Sequence, residues 1–166
     1  MGIKTSAGVC LIDLLCGQLA IQWDYIDKQV QTVFVNGRVV DRLDQVVMAP
    51  DMVIALSAAM PGLMGATLRK GSLLACFRKD ISLPAAHPAR DPRCEITVTL
   101  KFFNLVAKAL GPRLLAQGVW ITGTALGNHI KRLDQQTLAA LASLRWNRAP
   151  ISVEALSRLP WRESQV

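Results

Sequence analysis

The stretch that most restricts what this chain can fold into is Val33-Phe34-Val35-Asn36-Gly37-Arg38-Val39-Val40, two β-branched runs around an Asn-Gly pair. Both central residues tolerate the positive φ that a type I′ turn demands, and that turn matches the twist of the strands it joins. The spacing predicts a tight antiparallel hairpin with Asn36 and Gly37 as its structural turn. A loop at Ala49-Pro50-Asp51 and a strand over residues 52–56 follow. Upstream, Val9, Leu11, Ile12, Leu15, Cys16 and Leu19 fall at helical spacing, so residues 9–19 are expected as a helix with Ser6 as its N-cap. A polar connection through Trp23, Asp24 and Asp27 is expected to lead from that helix into the hairpin.

Beyond residue 57 the pattern changes. Ala58 to Gly65 is small and apolar, and residues 67–68 and 73–78 suggest a second hairpin around Arg69-Lys70-Gly71-Ser72. Pro84, Pro88 and Pro92 then interrupt a stretch without periodicity, which is the best linker in the chain. Residues 95–102 alternate apolar and polar with period two, a strand. A short helix over 104–110 is expected to stop at Gly111-Pro112, with a strand over 114–121 after it. Helical spacing resumes over 124–144, split near Asp134, before a last short strand at 150–153. The division implied is an α+β unit over 1–82, a Pro-rich linker over 83–94 and a second α+β unit over 95–166.

Composition places the chain among globular proteins, with 51% hydrophobic and 19% charged residues in 166. Its net charge of +7 is uneven. Residues 1–80 carry eight Lys/Arg against seven Asp/Glu, whereas residues 81–166 carry eleven against five. The cations are scattered, without aromatic interleaving, so nucleic acid is not an expected partner. Cys10, Cys16, Cys76 and Cys94 have no CxxC spacing and no clustered histidines, which argues against zinc. Of the four, Cys94 is the one expected at the surface. Met52 to Leu68 is a run of seventeen uncharged residues, yet Pro61, Gly62 and Gly65 break it, so no membrane span is expected. With no leader-like cleavage pattern, the expected location is the cytoplasm.

The order of these motifs resembles the small ubiquitin-like β-grasp sulfur carriers of thiamine and molybdopterin biosynthesis. Thr5-Ser6-Ala7-Gly8-Val9 through Leu14-Leu15 looks like their approach to the helix, Val35-Asn36-Gly37-Arg38-Val39-Val40 like their central turn, and Pro50-Asp51-Met52-Val53-Ile54-Ala55-Leu56 like their last strand. Ala59-Met60-Pro61-Gly62 falls where those proteins approach their C-terminus. The resemblance implies a β-grasp mixed sheet packed on helices. Ile96 to Phe103 followed by Asn104-Leu105-Val106-Ala107-Lys108-Ala109-Leu110-Gly111 is similar to the opening strand and following stretch of the molybdopterin carriers. Trp146-Asn147-Arg148-Ala149 echoes the first turn. Two degenerate β-grasp units, or one mixed sheet drawing strands from both halves, both fit, and the proline-rich break favours two.

Carrier chemistry requires a Gly-Gly C-terminus, and here Gly62-Leu63-Met64-Gly65 is internal and lacks the pair. The hairpin that should precede the helix is also missing. No His-Cys-Asp set, Walker loop or dinucleotide fingerprint is present. His129 reads as a surface residue, and Asp41, Asp44 and Asp51 as turn residues. No catalytic, cofactor-binding or metal-ligating residues are therefore assigned. The expected function is non-enzymatic, through protein–protein contacts linked to sulfur transfer or cofactor biosynthesis. Met60, Pro61, Gly62, Leu63 and Met64 are the interaction candidates, packing between the halves or in a homodimer. Two alternatives stand beside it: a small RNA-binding module, whose Arg-rich helix pair would here be replaced by Asp24 and Asp27, and an atypical sulfur carrier cleaved near Gly62–Gly65.

Overall fold

A computed structural model describes residues 1–58, 94–141, 143–159 and 161. The second hairpin expected over 67–78 and the interaction candidates at 60–64 lie outside the described residues, as does most of the Pro-rich stretch. Strand β1 (Gly2–Ser6) leads into a helical turn (Asp13–Gln18), helix α1 (Trp23–Gln29), and strands β2 (Thr32–Val35) and β3 (Arg38–Val40). A short 3-10 turn (Leu43–Gln45) precedes β4 (Val53–Ser57). Strand β5 (Glu95–Phe103) then runs directly into helix α2 (Asn104–Ala116).

These strands form one mixed sheet in the order β1-β5-β4-β2-β3. β5 is antiparallel to β1 and parallel to β4, while β4–β2 and β2–β3 are antiparallel. The sheet therefore draws on both sides of the proline-rich stretch. The compact units are Met1–Val119 and Trp120–Val166, not the expected 1–82 and 95–166. Pairing outranks the proline break because β5 alternates so strictly. Ile96, Val98 and Leu100 are buried on one face, where they join Ile3 of β1 and Ile54 and Leu56 of β4 in a single core.

The turn at the tip of the β2–β3 hairpin has φ of 50° at Asn36 and 80° at Gly37. Asn36 does a second job. Its backbone N–H donates to the Val53 carbonyl at 2.8 Å, and its side-chain Oδ1 accepts from the Val53 N–H at 2.9 Å. The turn is thereby fixed to β4 as well as to its own hairpin. Gly37→Val forces a β-branched residue into positive φ and should cost roughly 1–3 kcal/mol. Chemical denaturation is expected to show that loss, with Gly37→Asn retaining most of the stability.

The helical elements depart from expectation for local physical reasons. The first begins after β1, so Ser6 ends a strand instead of capping a helix. It widens at its end, the Leu19 N–H bonding to the Leu14 carbonyl five residues back. That shift brings Leu19 into the core beside Leu11, Leu14 and Leu15, and leaves Gln18 outside. The expected polar connection at Trp23–Asp27 is helix α1, because Ile26 is fully buried while Asp24 and Lys28 pair on the outside.

Helix α2 runs through Gly111-Pro112 instead of stopping there, and Leu114 to Ala116 are helical where a strand was expected. An interior proline costs about 3 kcal/mol. Val106, Leu110 and Leu114, four residues apart, are all buried, and each apolar side chain returns about 1.5–3 kcal/mol. The Arg113 guanidinium adds bonds to the carbonyls of Leu19 and Ala20 at 2.8 and 2.9 Å. Burial wins.

The second unit is a set of short capped elements. Helix α3 (Gly123–Arg132) is capped by Thr122 and α4 (Gln135–Ala139) by Asp134, whose carboxylate accepts from the Thr137 backbone N–H and thereby has its pKa held below the usual range. Strands β6 (Arg145–Trp146) and β7 (Ala149–Pro150) form a hairpin, and α5 (Val153–Ser157) is capped by Ser152. The split at Asp134 is where the periodicity placed it. The strand expected over 150–153 is shorter, since Val153 already begins α5. The hairpin turn, Asn147-Arg148, has φ of 48° and 68°, both positive like Asn36-Gly37.

Candidate functional site

Most residues singled out by sequence are structural in this fold. Cys10 Sγ donates to Asp13 Oδ2 at 2.9 Å, and burial first, then that bond, pushes its thiol pKa up. Burial likewise raises Cys16. Both thiols are thus held away from the thiolate that nucleophilic or metal chemistry uses. Cys94 is exposed, as is His129. Asp44 forms a two-pronged pair with Arg42, at 3.2 and 3.1 Å, which lowers its pKa. Among the described residues, no three His, Cys, Asp or Glu side chains come together as a metal site. Nor, among them, is any helix long and apolar enough to cross a membrane.

What the structure does assemble is an apolar cleft of about 400 Å³ where the C-terminal end of β5 meets α2. Leu100, Phe102 and Phe103 form one wall, Met1 closes one side, and Ala107, Gly111 and Leu115 form the other wall. The last three are spaced four apart, so they make a single stripe along α2. The stripe is shallow at Ala107 and Gly111, which opens the cleft, and Leu115 rises at its end. Phe103 is 48% exposed, Leu115 60% and neighbouring Leu105 63%. Phe103 and Leu115, both lining the cleft, are thus large apolar side chains left open to solvent, the kind of feature that marks a binding surface.

Among the described residues, the charged groups that line it are all of one sign. Lys101 lines the cleft and Lys108 is exposed on α2. The Met1 ammonium, bonded to the Leu100 carbonyl at 3.1 Å, has its pKa lowered by burial and then by Lys101. Within the same unit, no Asp or Glu occurs from Ile96 to Val119.

Sequence reasoning placed the interaction surface at residues 60–64 and passed over this one. The signal was present in two doublets. Phe102-Phe103 breaks the alternation of β5, so both faces of the strand end carry an aromatic ring. Leu114-Leu115 does the same on a helix, where only Leu114 can point into the core. No family model matches the chain, and no curated protein or solved structure does either.

Proposed function

We propose that this chain is a non-enzymatic, cytoplasmic protein of the β-grasp type that acts by binding other proteins. The fold half of this reading is supported by strand pairing. A β-grasp sheet sets its first strand between the second and the last, antiparallel to the second and parallel to the last. Moving that first strand to the far end of the chain gives the order β1-β5-β4-β2-β3 with these directions. The hairpin missing before the helix is then accounted for: β1 is its second strand, and β5 is its first. In such a permuted β-grasp the carrier tail would become an internal connection after β4, which agrees with the internal position of Gly62 to Gly65 and with a link to sulfur transfer by descent rather than by carriage.

The functional half rests on one observation, the apolar cleft with Phe103 and Leu115 exposed along it. Affinity isolation from native extract should recover a protein in stoichiometric amount with the wild type and lose it with Phe103→Asp/Leu115→Asp, once circular dichroism has shown the variant folded. Identical recovery with both, or no stoichiometric partner, would overturn the reading. A native mass truncated at residues 62–65, or increased by one sulfur, would replace it with the atypical carrier.

A second reading, the small RNA-binding module, gains one observation. The helical turn and α1 do form a pair just ahead of the Asn36-Gly37 hairpin. Against it stand the charges on that pair. Asp24 and Asp27 are exposed and Lys28 is committed to Asp24, so the pair offers phosphate no net attraction.

A further inference from the structure

We propose that the cleft between β5 and α2 takes an acidic amphipathic peptide segment, its apolar side chains seated on Phe103 and Leu115 and its carboxylates facing Lys101 and Lys108. This rests on the protein-binding reading above and names the chemistry of the partner. Two features carry it. The first is shape: the site is a shallow, open groove of about 400 Å³ between a strand end and one stripe of a helix, room for one or two large side chains laid along it. The second is charge. Lys101 lines the cleft and Lys108 is exposed on α2 next to Ala107, and the 24 residues from Ile96 to Val119 contain no carboxylate to offset them. Arg113 is excluded from this role because its guanidinium is held by the Leu19 and Ala20 carbonyls.

An apolar site ringed by one sign of charge rejects a like-charged partner more strongly than it attracts an opposite one, so selectivity should be the main readout. An anionic lipid surface shares the charge and apolar chemistry, but it presents a plane. A groove with a strand end on one side and a helix stripe on the other favours a single segment laid along it.

The test uses the full-length protein and fluorescein-labelled helical peptides of Leu and Glu, Leu and Lys, or Ser and Glu. Fluorescence anisotropy should show the Leu/Glu peptide binding at least about tenfold more tightly than either other peptide. Lys101→Glu/Lys108→Glu, both exposed positions, should reverse the order of the Leu/Glu and Leu/Lys peptides. Phe103→Ser/Leu115→Ser should weaken both, with thermal melting as the control for folding. Equal binding of the Leu/Glu and Leu/Lys peptides would overturn the acidic-partner proposal while leaving a protein-binding cleft. So would absence of peptide binding together with a wild-type dimer, seen by light scattering, that Leu115→Asp dissociates. Absence of both peptide binding and self-association would overturn this proposal and the protein-binding reading together. Stronger cosedimentation with phosphatidylglycerol vesicles than with phosphatidylcholine vesicles, alongside no peptide binding, would assign the cleft to a membrane and also overturn it.

Discussion

A chain ending at residue 82 should be unfolded, and one ending at Val119 should keep the five-stranded sheet. The reason lies in an interior strand of the sheet. β5 is the shared neighbour of β1 and β4, so without it β1 has no partner strand and β4 keeps only β2. Removing β5 and α2 also takes Ile96, Val98, Leu100, Val106, Leu110 and Leu114 from the core. At about 1.5–3 kcal/mol each, that is roughly 9–18 kcal/mol, against a total stability of about 5–15 kcal/mol for a domain. Far-UV circular dichroism and hydrogen exchange on the two fragments would distinguish them. A peptide covering residues 94–119, added to the 1–82 fragment, should restore protection at β1 and β4. Cooperative unfolding of the 1–82 fragment alone, with those strands already protected, would show that its strands pair differently without β5.

The same interior strand explains what could and could not be read in advance. The Asn36-Gly37 turn, the β5 alternation and the helix break at Asp134 were all legible, because each depends on residues within a few positions of one another. The place of β5 was not. Nothing in Glu95 to Phe103 says which strand will lie beside it, and the proline-rich stretch before it invited a domain boundary. Helix α2 was cut short in expectation because Gly111-Pro112 is a strong local stop, and only the distant partners of Leu114 and Arg113 reverse it. α1 was missed for the converse reason: seven residues with a single buried side chain, Ile26, carry too little periodicity to announce a helix. The cleft was half legible. Its doublets stand in the sequence, but their meeting depends on the direct turn from β5 into α2, made by Asn104 with φ of 53°.

In the second unit the largest single-residue effect should come from Gly127→Ala. On an ordinary helix this change stabilises by about 1 kcal/mol, since alanine is the better helix former. Here a Cβ on Gly127 would collide with Trp161 Cδ1 and stand 2.5 Å from its Cγ and 2.9 Å from its Cβ. Those atoms are the root of the side chain, so the ring cannot simply swing its far end aside. Trp161 also packs edge-on against Trp146, with ring centroids 5.5 Å apart, and its buried indole N–H has no hydrogen-bond partner. Displacing it would break that edge-to-face contact, a loss that solvation of the freed indole N–H offsets only in part. Overpacking of this kind costs about 1–3 kcal/mol. In a unit confined to residues 120–166, with correspondingly little core, that is enough to melt it while the sheet of Met1–Val119 stays intact. Hydrogen exchange should show protection lost in α3 and α5 and retained in β4 and β5. The sign of the effect carries the test: in a Trp161→Ala background the steric term is gone, and Gly127→Ala should become neutral or stabilising. If Gly127→Ala destabilises equally with and without the Trp161 ring, the close approach of Trp161 to α3 is not what holds glycine at this position.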